Sequence, residues 1–197
     1  MDGKPIFLVY RPLKVPDTRQ FLDFWRGADA KADLPGLYLV AANHRTVPME
    51  PEPLGFDAVI ANRLSDTRHW DSRLTPLRWL KFRMQAWRNW PTVYDYAEQL
   101  SEPVYDVVQS GDWFPTVYPT WDTSPRHGSR GLVMHGSTPE KFASQLQVAL
   151  DLVANRTQDK RLVFLKSWNE WAEGNFVEPD ETHGHGYLDA IRSKLVA

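Results

Sequence analysis

The 197-residue sequence predicts an α/β fold built on parallel strands. Two observations carry that reading. Short, uninterrupted apolar runs recur along the chain, as suits strands buried on both faces of a parallel sheet. Stretches of helical period lie between several of them, and such alternation argues for parallel strands joined by crossovers.

Each element has its own signal. Residues 5–10, Pro-Ile-Phe-Leu-Val-Tyr, read as the first buried strand. After Pro16-Asp17-Thr18, the stretch Arg19–Lys31 sets Phe21, Leu22, Phe24, Trp25 and Ala28 at helical spacing, and Pro35-Gly36 stops it. Leu37–Ala42 and Phe56–Ala61 are the second and third strands. Val117–Tyr118 is a weaker fourth, because Pro115 and Pro119 flank it closely. Ser137-Thr138-Pro139-Glu140 opens a helix with a polar cap, an early proline and an acid in the first turn. Phe142, Leu146, Leu150 and Val153 continue it on one face. Arg161–Ser167 is the cleanest buried strand, and Tyr187–Leu195 a last helix. About five strands result. They fit an open α/β sheet, or the C-terminal part of a (β/α)₈ barrel, which typically needs about 250 residues.

Composition bounds the function. Hydrophobic residues make up 42% and charged residues 24%, the balance of an ordinary globular chain forming one domain over 1–197. The net charge of −2 leaves no electrostatic footprint for nucleic acid. The absence of cysteine excludes disulfides, thiolate catalysis and cysteine-ligated zinc, and fits a cytoplasmic location. The opening MDGKPIFLVYRP has no apolar core of a signal peptide, and no apolar run of about 18 residues marks a membrane span. No Gly-rich phosphate loop or Gly-x-Ser-x-Gly elbow occurs, so no cofactor is expected. Aromatic residues reach 13%, with nine Trp. They raise the expectation of a carbohydrate site only slightly, since Trp is mainly a core residue.

Residues 65–91 stand apart. Arg68, Arg73, Arg78, Lys81, Arg83 and Arg88 face only Asp66 and Asp71, with Trp70, Trp79, Phe82, Trp87 and Trp90 interleaved. A basic aromatic helix can rest on an anionic membrane surface. The reading adopted is an insertion helix that packs its aromatics on the body and solvates its arginines, because the apolar residues form no clean stripe.

The chemistry concentrates in Lys166–Asp180, KSWNEWAEGNFVEPD. It follows the carboxyl end of an apolar strand, where parallel α/β folds bind ligands. Glu170 and Glu173 would diverge on a strand. On a helical or 3₁₀ turn they share one face, with Cβ atoms about 5–6 Å apart. Carboxylates so paired work on glycosidic bonds, one protonated and one ionised. Trp168 and Trp171 would wall and desolvate one carboxylate, Asn169 could bond a sugar hydroxyl or orient Glu170, and Gly174 turns the chain away. The bland alternative is a solvated acidic turn between core tryptophans.

Ser-Trp-Asn-Glu-Trp-Ala-Glu-Gly at 167–174, with Val177-Glu178-Pro179-Asp180 and Gly186-Tyr187-Leu188, resembles the C-terminal signature of the WbsX-like family of bacterial polysaccharide and O-antigen biosynthesis. That family is similar in turn to glycoside hydrolase family 99, the endo-α-mannosidases, whose motif is Trp-Asn-Glu-Trp-His-Glu-Gly. Lys4–Pro12 resembles a mid-domain strand of the family. Tyr118–Arg126 resembles its Trp-Asp-Asn-Thr/Ser-Pro-Arg run, with the Asn missing. The resemblance spans the chain except 65–91. It implies a TIM-type (β/α)₈ barrel, of which this chain holds about the last five strands, and an oligosaccharide or polysaccharide substrate. It implies a retaining mechanism in which Glu170 deprotonates the sugar 2-hydroxyl to form a 1,2-anhydro sugar, while Glu173 protonates the leaving oxygen and later activates water. Ala172 replaces the hydrolases' His, which weakens the case for mannosidase specificity. The family domain has further strands ahead of Lys4, so the chain should be marginal by itself or should need a partner chain to complete the barrel.

Other residues join the expected site. Trp121, Asp122 and Arg126 follow the strand that ends at Tyr118, and all four can line the pocket: Asp122 on sugar hydroxyls, Arg126 on an acid or on Asp122. Tyr10 and Arg11 end the first strand, a ligand-facing place in a barrel. Asn43 and His44 follow the second in the same way. His183 and His185 match no usual ligand spacing, so no metal site is expected. No Asp-x-Asp pair for a nucleotide-sugar metal occurs, which leans towards hydrolysis or transglycosylation, whereas the family resemblance leans towards glycosyl transfer. The rival class is a non-catalytic, truncated or carbohydrate-binding remnant of such an enzyme.

Overall fold

The structure is a computed structural model and describes residues 1, 3–32, 34–43, 49, 51–61, 76–97 and 112–196. Residues 65–75 of the basic aromatic stretch, and His44, lie outside the described residues. The strands are β1 (Ile6–Val9), β2 (Tyr38–Asn43), β3 (Ala58–Ala61), β4 (Thr92–Asp95), β5 (Asp112–Val117), β6 (Leu132–His135), β7 (Phe164–Leu165), β8 (Asn169–Glu170) and β9 (Asn175–Phe176). The helices are α1 (Thr18–Lys31), α2 (Pro76–Trp87), α3 (Ser124–His127), α4 (Pro139–Val153) and α5 (Gly186–Leu195). The chain forms two compact units. One comprises Met1–Asp66, Tyr105–Thr116 and Leu152–Phe164; the other comprises Thr67–Val104, Val117–Asp151 and Leu165–Ala197.

The first unit is built on the parallel sheet. Its strand order is β1-β2-β3-β5-β7, so the sheet grows in one direction along the sequence, as in a TIM-type barrel. Ile6 lies opposite Tyr38, Val40 opposite Ala58, and Ala58 opposite Asp112, all in parallel. Alternation divides the core in two. Val9, Leu39, Ala41 and Val59 meet Leu22 of α1 and Phe56 on one face. Tyr38, Val40, Ala58, Ile60 and Phe114 face the other way, with Phe164 against them. α1 covers the first face because Phe21 and Leu22 point to it while its polar side stays in water.

A polar knot ties this sheet together. Tyr38 OH donates to Asp112 Oδ2 at 2.8 Å, and Lys160 pairs with the same oxygen. Burial alone would raise the Asp112 pKa, but the hydrogen bonds from Lys160 and Tyr38 prevail and hold it below the ordinary carboxylate value. Burial, then the Asp112 carboxylate, pushes the Tyr38 phenol well above its ordinary pKa.

Several sequence expectations need correction. β2 and β3 are buried on both faces, but β1 is not: Ile6 and Leu8 are 42% and 43% exposed. β1 ends the strand order, and these two residues share the Tyr38–Val40 face, away from α1. The fourth strand of the sheet is Asp112–Val117, earlier than Val117–Tyr118, and carries Pro115 opposite Ala61. Arg161–Ser167 yields a ladder only at Phe164–Leu165, half-buried, because the chain enters it from the 3₁₀ turn Gln158–Lys160. The pair β4 and β6, parallel with Thr92 opposite Leu132, was not expected at all.

In the second unit, α4 buries Phe142, Gln145, Leu146 and Ala149. Gln145 Oε1 accepts from Tyr118 N at 2.9 Å, and Tyr96 OH donates to Tyr118 O at 2.6 Å. The backbone at Tyr118 is therefore held by two buried side chains. Tyr187 of α5 meets Phe142 edge-on at 5.6 Å and Ser137 Oγ at 3.0 Å. α2 departs from expectation: Leu77, Trp87 and Trp90 are exposed rather than packed on the body. Among the described residues no helix is long and apolar enough to cross a membrane.

Candidate active site

Two segments of the second unit build the site: residues 118–126, following β5, and residues 166–178, following β7. Glu170 ends β8, and the next three residues form the 3₁₀ turn Trp171–Glu173. Gly174 then takes φ +51°, and its Cα sits so close to Asp122 that an added Cβ would lie 3.2 Å from Asp122 Cβ. Only glycine meets both demands without strain. The turn is fixed to the first segment by Asp122 N donating to Glu173 O at 2.7 Å.

Below the turn, Asn175 is fully buried and accepts from Ser167 N through Oδ1. Ser167 Oγ donates to Asn175 O at 2.6 Å and accepts from Glu170 N at 3.3 Å. β8 pairs with β9 antiparallel, Asn169 opposite Phe176. Residues 167–176 thus form a small closed hairpin that carries both glutamates.

The two carboxylates converge on one guanidinium. Arg126 Nη1 lies 2.8 Å from Glu173 Oε1, and Nη2 lies 3.5 Å from Glu170 Oε1. Trp121 Nε1 donates to Glu173 Oε2 at 3.2 Å. The Glu173 side chain is 17% exposed and that of Glu170 44%. Glu173 is thus held on both oxygens, while Glu170 is open to a ligand. Each oxygen of Glu173 keeps a second lone pair.

Lys166 is the residue that sequence reasoning missed. Its Nζ lies 3.7 Å from the centre of the Trp121 ring, a cation–π contact. Burial lowers its pKa, and the nearby Glu173 and Glu170 charges only partly oppose that. The available signal was its place as the first polar residue after the apolar run Leu162–Leu165. The peptide bond from Lys166 to Ser167 is cis.

The remaining candidates fall into place unevenly. Tyr118 is buried and stacks on Trp121 at 5.6 Å with rings 7° apart. It supports Trp121 rather than facing a ligand. Asp122 Oδ1 accepts from Ser124 N at 2.8 Å and so starts α3, which presents Arg126; Arg126 pairs with the glutamates, not with Asp122. Trp168 and Asn169 are exposed beside Glu170. Trp171 stacks on Phe176 at 3.7 Å and donates to Glu178 at 2.6 Å, so the indole that shields a carboxylate is Trp121. Tyr10 and Arg11 belong to the first unit, where the guanidinium lies 5.5 Å from the Tyr10 ring centre. A cavity of about 870 Å³ also opens beside the hairpin, lined by Asp122, Ser137, Trp171, Phe176, Asp180 and Tyr187 among others. Glu170, Glu173 and Arg126 do not line it. Asp180 there caps its own loop, accepting from Thr182 N and His183 N.

The family profile described as "Glycosyltransferase WbsX" matches residues 1–191. Two curated proteins named "Uncharacterized protein WxcX", from two strains of Xanthomonas campestris pv. campestris, are each 28% identical over 196 residues. That alignment covers 99% of this chain and 27% of each relative, so the chain spans about a quarter of their length. A solved structure titled "Glycoside hydrolase-like protein" superposes with a TM-score of 0.59 at 18% identity, covering 98% of this chain and 54% of that one. This last likeness is one of fold.

Proposed function

The chain belongs to the WbsX glycosyltransferase family, and from that premise we propose that it is a carbohydrate-active segment of bacterial polysaccharide biosynthesis, breaking or transferring a glycosidic bond with Glu170 and Glu173. The observation that carries the reading is the convergence of both carboxylates on Arg126, with the Trp121 indole donating to one of them. Acid–base work on an acetal needs two carboxyl groups held about one point, and the shared contact of both glutamates with Arg126 supports that.

In this reading Glu170, the more accessible group, removes the proton of a sugar 2-hydroxyl. O2 attacks C1 as the bond from C1 to the leaving oxygen breaks, and Glu173 gives that oxygen a proton. A hydroxyl of water or of an acceptor sugar then opens the anhydro ring at C1. Its proton passes to Glu173, and O2 regains one from Glu170. The acceptor decides between hydrolysis and transfer. Arg126 and Trp121 hold Glu173 in place, and the exposed faces of Trp168 and Trp171 offer apolar surface for sugar rings.

The test is turnover of mannan-type and O-antigen oligosaccharides by the wild-type chain, Glu170→Gln and Glu173→Gln. Loss of a positioned acid or base is expected to lower turnover by about 10²–10⁴-fold in each variant. Equal turnover in all three would defeat the proposal. Saccharide binding without turnover in any of them would instead support the binding-remnant reading.

A further inference from the structure

α2 turns an apolar row to solvent. Leu77, Leu80, Met84 and Trp87 follow one another in steps of three and four, so they share one helix face. Their exposures are 79%, 48%, 44% and 83%, and Trp90, just past the helix, is 57% exposed. A single exposed leucine is ordinary, but a contiguous row of large apolar side chains marks an interaction surface. Leu77, Leu80, Met84 and Trp90 also bound a hollow of about 310 Å³, with Lys81 and Arg88 among its lining residues.

The charge around this row is one-sided. Between Asp71 and Asp95 the sequence carries Arg73, Arg78, Lys81, Arg83 and Arg88 and no acidic residue, in a chain of net charge −2. Arg83 lies 5.3 Å from the Trp79 ring centre and Arg88 5.3 Å from that of Trp90. Cations standing on indoles beside an aliphatic row match the chemistry of a lipid interface. There, Leu, Met and Trp enter the acyl boundary while Lys and Arg meet phosphates. A second copy docked through the same face is disfavoured as the occupant, because it would set one run of cations against another.

We propose that α2 is a membrane-surface helix that lays this chain on an anionic lipid leaflet. It lies in the interface and does not span it.

The test is co-sedimentation of the full chain with vesicles of phosphatidylcholine alone and of phosphatidylcholine mixed with phosphatidylglycerol, at low and high salt. Binding is expected to the mixed vesicles, about ten-fold or more stronger than to phosphatidylcholine, and to weaken as salt rises. Replacing Lys81→Gln and Arg88→Gln together should weaken it about 25-fold, roughly five-fold for each charge. Trp87→Ser should weaken it about ten-fold while leaving the circular dichroism unchanged. Glu170→Gln should bind vesicles like the wild type, which separates this inference from the catalytic reading. No binding to mixed vesicles would overturn it and leave an acidic protein partner as the occupant to test next. Equal binding to both lipids, or unaltered binding by Trp87→Ser, would overturn it as well.

Discussion

Arg126 and Glu173 are 47 residues apart in sequence, yet their contact organises the site. The bidentate reach of a guanidinium explains why arginine is needed, since a lysine ammonium is a single point that cannot hold two carboxylates in a fixed plane. Arg126→Lys should therefore lower turnover well beyond any effect on stability. Because Arg126 is half exposed, a thermal melt should report a change within about 1 kcal/mol. Unchanged turnover in Arg126→Lys would remove the arginine from the mechanism. Lys166 gives a second residue-scale prediction. Its folded-state pKa is depressed, so below its unfolded value of 10.5 the unfolded chain binds more protons than the folded one. Unfolding free energy should thus rise with pH across the window below about 10.5. Urea unfolding at a series of alkaline pH values below 10.0, where the tyrosines do not yet oppose it, should show that rise in the wild type and a flatter profile in Lys166→Met. The glutamate pair was legible because its motif is contiguous. Arg126 was only half legible, since its acid partner could not be named from sequence. Lys166 was hidden because nothing local tells a strand-end lysine from a solvated one.

At the scale of elements, the 167–176 hairpin is held by close backbone approaches that can be tested one at a time. Gly174→Ala places a Cβ 3.2 Å from that of Asp122 at a positive φ, and should cost about 1–2 kcal/mol. Gly131→Ala should cost more, because its Cβ would fall 2.8 Å from Ser124 Cα and 2.9 Å from Gly128 O, backbone that cannot step aside. Chemical denaturation of both variants would rank them, and the reverse order would contradict these close approaches. α1, α4 and α5 were readable because helical period and capping residues are local signals. β4 and β6 were not, because four-residue strands such as Thr92–Asp95 gain their identity from a neighbour 40 residues away. Pro115 concealed the rest of β5, although its backbone tolerates proline there.

For the whole molecule, the sequential strand order and the likeness to a glycoside-hydrolase-like structure describe a barrel-type parallel sheet in which alternate residues serve opposite faces. Tyr38 reports on that sheet, because its hydroxyl joins β2 to Asp112 of β5. Its raised folded-state pKa means that above pH 10.0 the unfolded chain loses a proton that the folded chain keeps. Stability should fall in that alkaline range, opposite in sign to the effect of Lys166. Tyr38→Phe should reduce that fall, leaving the part owed to Tyr187, whose phenol pKa burial also raises, while costing about 1 kcal/mol at neutral pH. A wild-type profile that stays level above pH 10.0 would exclude the coupling.

By itself the sequence determined the α/β class, the principal helices, the two central strands with core residues on both faces and the carboxylate motif at a strand end. All of these are written in local period and short contiguous patterns. Only the tertiary structure decided that Arg126 and Trp121 hold Glu173, that Trp171 turns to Glu178, that β1 leaves one face open and that α2 exposes its apolar row. Each of those outcomes depends on which distant segment reaches a given side chain, and the folded chain settles that through packing and hydrogen bonding that no local pattern encodes.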